Sequence, residues 1–346
     1  MANVTAEEPP AKAAAPENPS DLEAVELCRS AAQQLQKEIG KVIVGQTDVV
    51  EQILIAILTR SHALLVGVPG LAKTLLISTL AETLQMSFKR IQFTPDLMPS
   101  DITGTEVIYT DAATGAKEFK FLPGPLFSNI VLADEINRTP PKTQAAMLEA
   151  MQERRVTVGG NTHKLPDPFF VLATQNPLEQ EGTYPLPEAQ LDRFLFLINV
   201  GYPSEQEELE IMKRGTGGKL EQPKPVLDAG HILYIHQTVK ALPVADHVYQ
   251  YAGRIVRCTR PKEADALDYC KQYLSFGAGP RASLSLIMAA KAHALIRGQL
   301  YAGCEDVAAV AKAVMRHRIA VNFTAQSEGI TADTVVEKVL KTIPAR

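Results

Sequence analysis

The sequence lacks tryptophan, has only four cysteines among its 346 residues and carries no excess of positive charge, since its formal net charge is -4. The cysteines include no C-x-x-C pair, so the sequence predicts neither a disulfide framework nor a zinc ribbon. The seven histidines show no H-x-x-x-H or E-x-x-H spacing, and G-x-S-x-G is absent. These absences argue against a metal site built from side chains alone and against a serine hydrolase.

Long apolar runs are absent as well. The most apolar one, from Ile53 to Leu58, is far too short to span a bilayer. The segment from Met1 to Pro19 is rich in Ala, Pro and Glu and has neither the basic nor the apolar region of a secretory signal. We therefore expect a cytoplasmic protein with reduced thiols and no membrane span, preceded by a disordered leader over residues 1–20.

Apolar stretches that fit strands alternate with helical patterns over the first part of the chain. The predicted strands are, in order, 62–66, 88–93, 129–135, 169–176 and 194–200. Such alternation predicts an α/β domain with a parallel sheet covered by helices on both faces, here over residues 21–203. Two hairpins are predicted within it, at 101–127 and 155–165. From residue 204 to residue 346 the pattern is helical, which predicts a smaller all-helical domain.

A glycine-rich turn follows the first predicted strand. It reads Gly67-Val68-Pro69-Gly70-Leu71-Ala72-Lys73-Thr74 and leads into a predicted helix. Backbone N–H groups in such a turn, together with the positive end of the helix dipole, can hold the phosphates of a nucleotide. Lys73 would reach the β- and γ-phosphates, and the Thr74 hydroxyl would bind Mg²⁺. Ala72 stands where glycine usually precedes the lysine, so an ordinary strand-turn-helix connection stays open on this segment alone.

Polar side chains end the next two buried strands. Asp134 and Glu135 follow one apolar run, and Asn176 follows the other. Because the carboxyl ends of parallel strands share one edge of a sheet, we expect all three near the glycine-rich turn. Asp134 would hold Mg²⁺ through water, Glu135 would polarise the attacking water, and the Asn176 amide could hold that water or touch the γ-phosphate. An acid pair at a helix N-terminus and an Asn-Pro turn are the plainer alternatives.

Two arginines could contact phosphate from elsewhere. Arg193 lies at a predicted helix-to-strand junction on the opposite side of the domain from its own phosphate turn, and could then serve only a neighbouring subunit. Arg281 follows Pro280, and proline is favoured in the first turn of a helix. The helix dipole opposes a cation there, and a bound phosphate would rationalise it. A salt bridge that involves Asp192, or an exposed arginine without a ligand, is the alternative.

Taken in order, these segments resemble the motifs of AAA+ ATPases and, within that class, those of the MoxR family. The matching segments are 67–74, Asp134-Glu135-Ile136-Asn137-Arg138, Glu149-Ala150-Met151-Gln152-Glu153, Ala173-Thr174-Gln175-Asn176-Pro177, Pro187-Glu188-Ala189-Gln190-Leu191-Asp192-Arg193-Phe194 and Gly279-Pro280-Arg281-Ala282. They extend over nearly everything after Asp21. Alanine before the lysine is common in this family, which removes the doubt at Ala72, whereas Gly279 replaces a serine that is usual there.

The resemblance implies a fold, two cofactors and a role for each candidate residue. The fold is an AAA+ P-loop NTPase core followed by a helical lid, and the cofactors are ATP and Mg²⁺. The implied roles are Walker A for Lys73 and Thr74, Walker B for Asp134 and Glu135, sensor 1 for Asn176, arginine finger for Arg193, sensor 2 for Arg281, a further interface contact for Arg138, and the adenine pocket for Val44, Gly45 and Gln46. The family also implies a hexameric ring with ATP at subunit interfaces, in which both hairpins face the pore or the client.

The function that this resemblance implies is ATP hydrolysis by a chaperone-like ring that remodels a protein partner or loads a cofactor into it. In MoxR relatives that partner often carries a von Willebrand factor A domain. A nucleic-acid motor or loader is the alternative, because related rings with similar inserts act on DNA. The net charge of -4 and the nearly balanced charges of the first hairpin disfavour nucleic acid as a partner. Arg154, Arg155 and Lys164 are basic, however, so a local basic pore stays open. A nucleotide-gated scaffold with negligible turnover is a third reading.

Overall fold

The computed structural model describes residues 21–110, 117–179, 182–217 and 221–345. The strands are β1 (Ala63–Val66), β2 (Phe88–Gln92), β3 (Gly104–Thr110), β4 (Lys117–Pro123), β5 (Ile130–Asp134), β6 (Arg155–Val158), β7 (Asn161–Lys164), β8 (Phe170–Gln175), β9 (Phe196–Asn199), β10 (Leu274–Phe276) and β11 (Ala320–Val321). The predicted leader, residues 1–20, lies outside the described residues, and so does the turn of the first hairpin.

Helices occupy most of the remaining described residues. They are α1 (Asp21–Gly40), α2 (Thr47–Leu58), α3 (Lys73–Thr83), α4 (Pro99–Thr103), α5 (Pro141–Glu153), α6 (Glu188–Leu191), α7 (Glu205–Thr216), α8 (Ala229–Ala241), α9 (Asp246–Arg257), α10 (Asp268–Tyr273), α11 (Pro280–Ile296), α12 (Cys304–Met315), α13 (Phe323–Ser327) and α14 (Ala332–Thr342). A short 3-10 helix covers Ile136–Arg138.

Five strands form the central sheet in the order β2-β5-β8-β1-β9, and every neighbouring pair is parallel. Leu65 packs in one apolar core and Leu64 in another. Because successive side chains of a strand point to opposite faces, the sheet separates these two cores. Burial on both faces accounts for the continuous apolar sequences of the central strands. The predicted parallel sheet covered on both faces is confirmed.

The predicted strands are present, with ends that differ by one or two residues. β1 begins at Ala63 rather than His62, and β9 covers Phe196–Asn199 rather than 194–200. The β6–β7 ladder runs to the pair Val158 and Asn161, so Asn161 belongs to the strand and only two residues form the turn. The end of a strand depends on the last hydrogen bond to its neighbour, which local sequence does not encode.

The described residues after 203 are mostly helical, as predicted, and they also include a small antiparallel pair of strands, β10 and β11. Strands of three and two residues are too short for a periodic pattern to indicate them. The helical lid packs against the sheet domain through one core, which contains Leu35 of α1, Leu65 of β1 and Leu286 of α11. The proposed boundary between residues 203 and 204 stays a prediction.

The two hairpins, β3–β4 and β6–β7, contact each other. Phe121 of β4 stacks on His163 of β7 with ring centroids 3.9 Å apart and an interplanar angle of 13°. Asn161 Nδ2 donates to Glu106 Oε1 over 3.3 Å. A movement of one hairpin would therefore displace the other.

The buried cysteines are structural. All four are free, and three of them are buried. Burial raises the pKa of Cys28 and of Cys258 to about 12, so these thiols are packing groups rather than nucleophiles. No helix among the described residues is long and apolar enough to cross a membrane.

Two buried histidines should make the stability of the fold depend on pH. His62 Nε2 donates to Met151 O over 3.1 Å and its Nδ1 accepts from Val171 N over 2.9 Å, so the ring is neutral. Burial lowers the pKa of His62 and that of His236 to about 4, from an ordinary 6.5. Below pH 6.5 these two histidines become protonated in the unfolded chain, whereas in the folded chain they stay neutral down to about pH 4. The free energy of unfolding therefore falls between about pH 6.5 and 4.

Each of these histidines contributes at most about 3 kcal/mol to that loss. Urea unfolding of the wild type at a series of pH values across this range measures the loss. The variant His236→Gln, which has no group that titrates there, should show a shallower dependence. A free energy of unfolding that stays constant across the range would contradict the prediction.

Candidate nucleotide site

The glycine-rich turn connects the carboxyl end of β1 to the start of α3, as predicted. Gly70 has a φ of +86°, in the left-handed region that favours glycine. Ala72, immediately before α3, has a φ of 54°. The left-handed conformation costs a residue with a Cβ about 1–2 kcal/mol. This cost is the physical reason that glycine is usual at this position.

Lys73 and Thr74 begin α3 beside the predicted acids. Lys73 Nζ donates to Gly67 O in the turn. Burial lowers the pKa of Lys73, and nearby acids, Asp134 foremost, act in the opposite direction. Thr74 Oγ1 donates to Asp134 Oδ2 over 3.4 Å. The lysine and the threonine hydroxyl therefore lie at the carboxyl edge of the sheet together with the aspartate.

Asp134 is buried at the end of β5, and each of its oxygens has a partner. Oδ1 accepts from Thr174 Oγ1 over 2.5 Å, and Oδ2 accepts from Arg90 Nη2 over 2.7 Å. The Thr174 hydroxyl also accepts from Glu135 N over 2.9 Å. Thr174 therefore fixes the positions of both acids.

Glu135 follows β5 and is held by two side chains. Its Oε2 accepts from Gln92 Nε2 over 2.7 Å and from Arg138 Nη1 over 2.8 Å. Arg138 Nε also lies 3.1 Å from Glu179 Oε2. The element after Glu135 is a three-residue 3-10 helix, so the alternative of an acid pair at the start of a regular helix does not describe this site. The role of Arg138 at a subunit interface stays a prediction.

Arg90, Gln92 and Thr174 were not among the predicted site residues. Arg90 and Gln92 alternate along β2 and so share a face of the sheet. The register places Gln92 opposite Asp134. The shared face could have been read from the sequence, but the register between β2 and β5 could not, because it depends on how two distant segments pair.

Asn176 follows β8 and is buried. Its Oδ1 accepts from Leu178 N over 3.1 Å, so the Asn-Pro turn that the sequence allows is present. The preceding residue lies next to the phosphate turn, because Gly67 N donates to Gln175 O over 3.3 Å. Asn176 is thus on the predicted edge, while its contact with phosphate or water stays a prediction.

The segment Val44-Gly45-Gln46 lies between α1 and α2, beside the phosphate turn. Gln46 Nε2 donates to Leu71 O over 3.3 Å, whereas its Oε1 is buried with no hydrogen-bond partner among the described residues. Gly45 has a φ of +67°, in the left-handed region that favours glycine, and a Cβ there would require the Glu207 side chain to move. The unsatisfied Gln46 oxygen is an acceptor that the amino group of adenine can satisfy.

Thr74 and Asp134 are the residues that could hold Mg²⁺. Within the described ranges, no group of three or more His, Cys, Asp or Glu side chains could hold a metal ion by itself. Mg²⁺ commonly takes one or two carboxylates and completes its coordination with water and substrate phosphates. A hydroxyl and a carboxylate beside a phosphate turn fit that pattern.

Arg193 lies at the amino end of the parallel strands, opposite the carboxyl end that bears the phosphate turn, as the sequence predicts. It immediately precedes the segment that enters β9, and Phe196, the first residue of β9, pairs with Ala63, the first residue of β1. The phosphate turn follows the last residue of β1, and a strand of four residues spans about 13 Å. Arg193 therefore lies near the amino end of β9, whereas its own phosphate turn lies at the carboxyl end of the neighbouring β1.

Arg281, the second residue of α11, lies close to Arg193. Its side chain is half-exposed, and its Nη1 is 3.6 Å from Asp192 Oδ2. The alternative of a salt bridge that involves Asp192 is thus present. It partly offsets the unfavourable interaction of Arg281 with the helix dipole. Arg193, Arg281 and Arg318 line one cavity of about 270 Å³. An open groove of about 620 Å³ lies beside Arg193, bordered by Glu149 among others.

The predicted site residues thus form two groups, and one chain does not bring them together. The first group, at the carboxyl edge of the sheet, consists of the segments 44–46 and 67–74 with Asp134, Glu135 and Asn176. The second group, at the opposite edge, consists of Arg193 and Arg281.

Both parts of the chain match known proteins. Residues 62–196 match the family described as ATPase family associated with various cellular activities (AAA), and residues 268–339 match the AAA lid domain. The chain is 46% identical over 306 residues to Chaperone MoxR1 of Mycobacterium tuberculosis, covering 88% of this chain and 80% of that protein. It is 29% identical over 338 residues to Protein MoxR of Methylorubrum extorquens, covering 92% of this chain and 96% of that one.

A solved structure extends the comparison to three dimensions. The crystal structure of a presumed ATPase from Cytophaga hutchinsonii matches with a TM-score of 0.86 and 41% sequence identity. The match covers 94% of this chain and 97% of that one, so it includes both the sheet domain and the helical lid. Similarity of this extent, with the motifs in the same order, shows that the chain belongs to the MoxR family of AAA+ ATPases.

Proposed function

We propose that this chain hydrolyses ATP at sites shared between the subunits of a homo-oligomeric ring, and that hydrolysis drives the remodelling of a protein client or the loading of a metal or cofactor into it. The observation that carries the proposal is that the phosphate-turn group and the arginine group lie at opposite ends of the parallel strands of one sheet. A head-to-tail interface would place the arginine edge of one subunit against the phosphate turn of the next, and such an interface generates a ring when the rotation between subunits closes. The family resemblance makes six the expected number of subunits.

In the proposed site, the turn 67–72 holds the phosphates with its backbone N–H groups at the positive end of α3. Lys73 exchanges its hydrogen bond to Gly67 O for phosphate oxygens, and Gln46 Oε1 accepts from the adenine amino group. Thr74 and Asp134 would hold Mg²⁺, which would supply positive charge to neutralise the phosphates.

Glu135 is the proposed base. The hydrogen bonds from Gln92 and Arg138 both end on Oε2, so Oε1 is the oxygen that takes the proton of the attacking water. The water oxygen bonds to the γ-phosphorus as the bond to the β–γ bridging oxygen breaks, which yields ADP and phosphate. Asn176 orients the water, and a neighbour's Arg193 offsets the charge that develops.

The proposed client is a protein, and the β3–β4 hairpin is the proposed contact. Ile108 and Phe119 face each other across that hairpin and are 63% and 75% exposed. Large apolar side chains exposed together commonly mark a surface that contacts another protein. The name of the Mycobacterium tuberculosis relative supports a chaperone, and the family resemblance indicates von Willebrand factor A domain proteins as clients.

The test of nucleotide use compares the wild type with Lys73→Met. The wild type should hydrolyse ATP at steady state. The variant should bind ATP about 10- to 150-fold more weakly, because hydrogen bonds from a charged group are worth about 1.5–3 kcal/mol. Calorimetric titration with ATP and Mg²⁺ measures the affinity, and phosphate release measures turnover.

Lys312→Met is the matched control for this comparison. Lys312 Nζ lies 2.5 Å from Glu337 Oε1 on the lid, so its loss should leave both the affinity for ATP and the rate unchanged. An unchanged affinity in Lys73→Met would contradict the proposed site. Wild-type rings that bind ATP without turnover would favour the nucleotide-gated scaffold instead.

A further inference from the structure

Arg318 lies behind the arginine edge, and we propose that it is a positioning residue that holds Arg193 and Arg281 in the arrangement that a neighbouring subunit's ATP requires. The proposal rests on the proposed function, because it assigns a role within the shared site. Arg318 acts through Asp192 and through the backbone on either side of Arg193.

The Arg318 guanidinium holds the backbone from which Arg193 projects. Nη2 donates to Asp192 O over 3.2 Å and to Phe194 O over 2.6 Å. Nη1 donates to Leu195 O over 3.0 Å. The carbonyls immediately before and after Arg193 are thus bound by one side chain, which fixes the direction in which the Arg193 side chain leaves the chain.

Asp192 links the same guanidinium to Arg281. Its Oδ1 accepts from Arg318 Nε over 2.7 Å, and its Oδ2 lies 3.6 Å from Arg281 Nη1. Arg318 Nη2 also lies 3.3 Å from Ser285 Oγ, one turn along α11 from Arg281. The planar fork of an arginine carries five N–H donors on three nitrogens, whereas the compact ammonium of lysine has three donors on one nitrogen and cannot span the same set of acceptors.

Burial distinguishes Arg318 from the arginines that it would position. Its side chain is 3% exposed, against 54% for Arg281. Burial lowers the pKa of Arg318, and the contact with Asp192 acts in the opposite direction. A deeply buried cation is tolerated only when its charge and its N–H groups are paired. The N–H groups of Arg318 therefore bind protein acceptors, whereas the half-exposed Arg281 is accessible to a ligand.

Arg318 and Arg281 both belong to the helical lid, on segments that lie next to each other. Arg318 lies between α12 and β11, and β11 pairs with β10, which leads into Arg281 at the start of α11. Arg318 therefore belongs to the lid, while the carbonyls that it binds belong to the sheet domain. A shift of the lid that moves Arg318 would move Arg193 and Arg281 together.

The test is Arg318→Lys, assayed alone and in mixed rings. Alone, it should lower kcat about a hundredfold, the cost of displacing a catalytic group by about 1 Å. Its KM for ATP should change much less, because its own phosphate turn is intact. Mixed with Glu135→Gln subunits, it should regain activity, since it supplies an intact Glu135 and receives a correctly held Arg193 from its neighbour. A subunit that is merely unstable would not be rescued.

Arg316→Lys is the matched control. Arg316 contacts Asp333 over 2.9 Å and Leu197 O over 3.2 Å, without contacting Asp192, and its replacement should leave kcat unchanged. If Arg318→Lys does not fold, as judged by its circular dichroism, Asp192→Asn takes its place in the same mixture. That variant removes both ion pairs and keeps the shape of the side chain.

The outcomes separate this proposal from the shared site itself. An unchanged kcat in Arg318→Lys overturns the positioning role. A loss that is not rescued, while Arg193→Ala is rescued by the same Glu135→Gln subunits, overturns it as well and leaves the shared site standing. Failure of rescue for both variants overturns the shared site, and the positioning role with it.

Discussion

Arg193→Ala should lower kcat for ATP hydrolysis about a thousandfold or more, while the affinity for ATP changes little. The guanidinium would contact only the neighbour's γ-phosphate, where it offsets charge that develops as the bond to the leaving ADP breaks. The variant's own Lys73 and Glu135 lie at the opposite edge of the sheet, so its nucleotide pocket is unaltered.

Phosphate release at saturating ATP and calorimetric ATP titration measure these two quantities. Arg257→Ala provides the control for loss of an arginine, because Arg257 is exposed on α9 with its Nε 3.8 Å from Asp265 Oδ2. That control should keep the wild-type rate. Hydrolysis by Arg193→Ala near the wild-type rate would contradict the role of the residue, and so would a parallel loss of ATP affinity.

Glu135→Gln should slow hydrolysis by about 10²- to 10⁴-fold, the usual contribution of a positioned general base. Glutamine has nearly the same shape, and its oxygen can still accept from Gln92 and Arg138, but it cannot take a proton from water. ATP binding and folding should therefore persist, and the protein should remain in the ATP-bound state.

The rate of phosphate release again measures the effect. Glu337→Gln on α14, which loses only the ion pair with Lys312, serves as the control and should keep the wild-type rate. The trapped Glu135→Gln ring should also retain clients in the presence of ATP, which an affinity capture can identify. Rapid turnover by Glu135→Gln would show that another group activates the water.

Much of the fold could be predicted because the pattern of apolar residues in the sequence reflects which segments the fold buries. β5 and β8 are continuous apolar runs since each lies inside a parallel sheet with helices on both faces. The direction of parallel strands then places the phosphate turn with Asp134, and puts Arg193 at the opposite edge. Both placements follow from alternation of strands and helices alone.

The partners of the acids could not be predicted, because they depend on register. Arg90 reaches Asp134 only because β2 pairs with β5 so that Gln92 lies opposite Asp134. A shift of that register by one residue would turn Arg90 to the other face of the sheet. Nothing in the local sequence of either strand specifies the pairing.

Arg318 illustrates a contact between distant parts of the chain. It is 126 residues from Asp192, and the two meet only when the lid packs against the sheet domain. The short strands β10 and β11 were missed for a related reason, since their hydrogen bonds depend on the packing of the lid. Sequence reasoning found the exposed arginines by their motifs and missed the buried one that contacts them.

The most direct test of the shared site mixes Arg193→Ala subunits with Glu135→Gln subunits. Each variant alone lacks one part of every site, whereas in a mixed ring some interfaces combine an intact Glu135 with a neighbour's intact Arg193. If subunits of both kinds assemble at random in equal amounts, about a quarter of the interfaces are complete, so activity should rise to about a quarter of the wild-type rate. Activity no greater than that of the two variants measured separately would contradict a site completed by the neighbouring subunit.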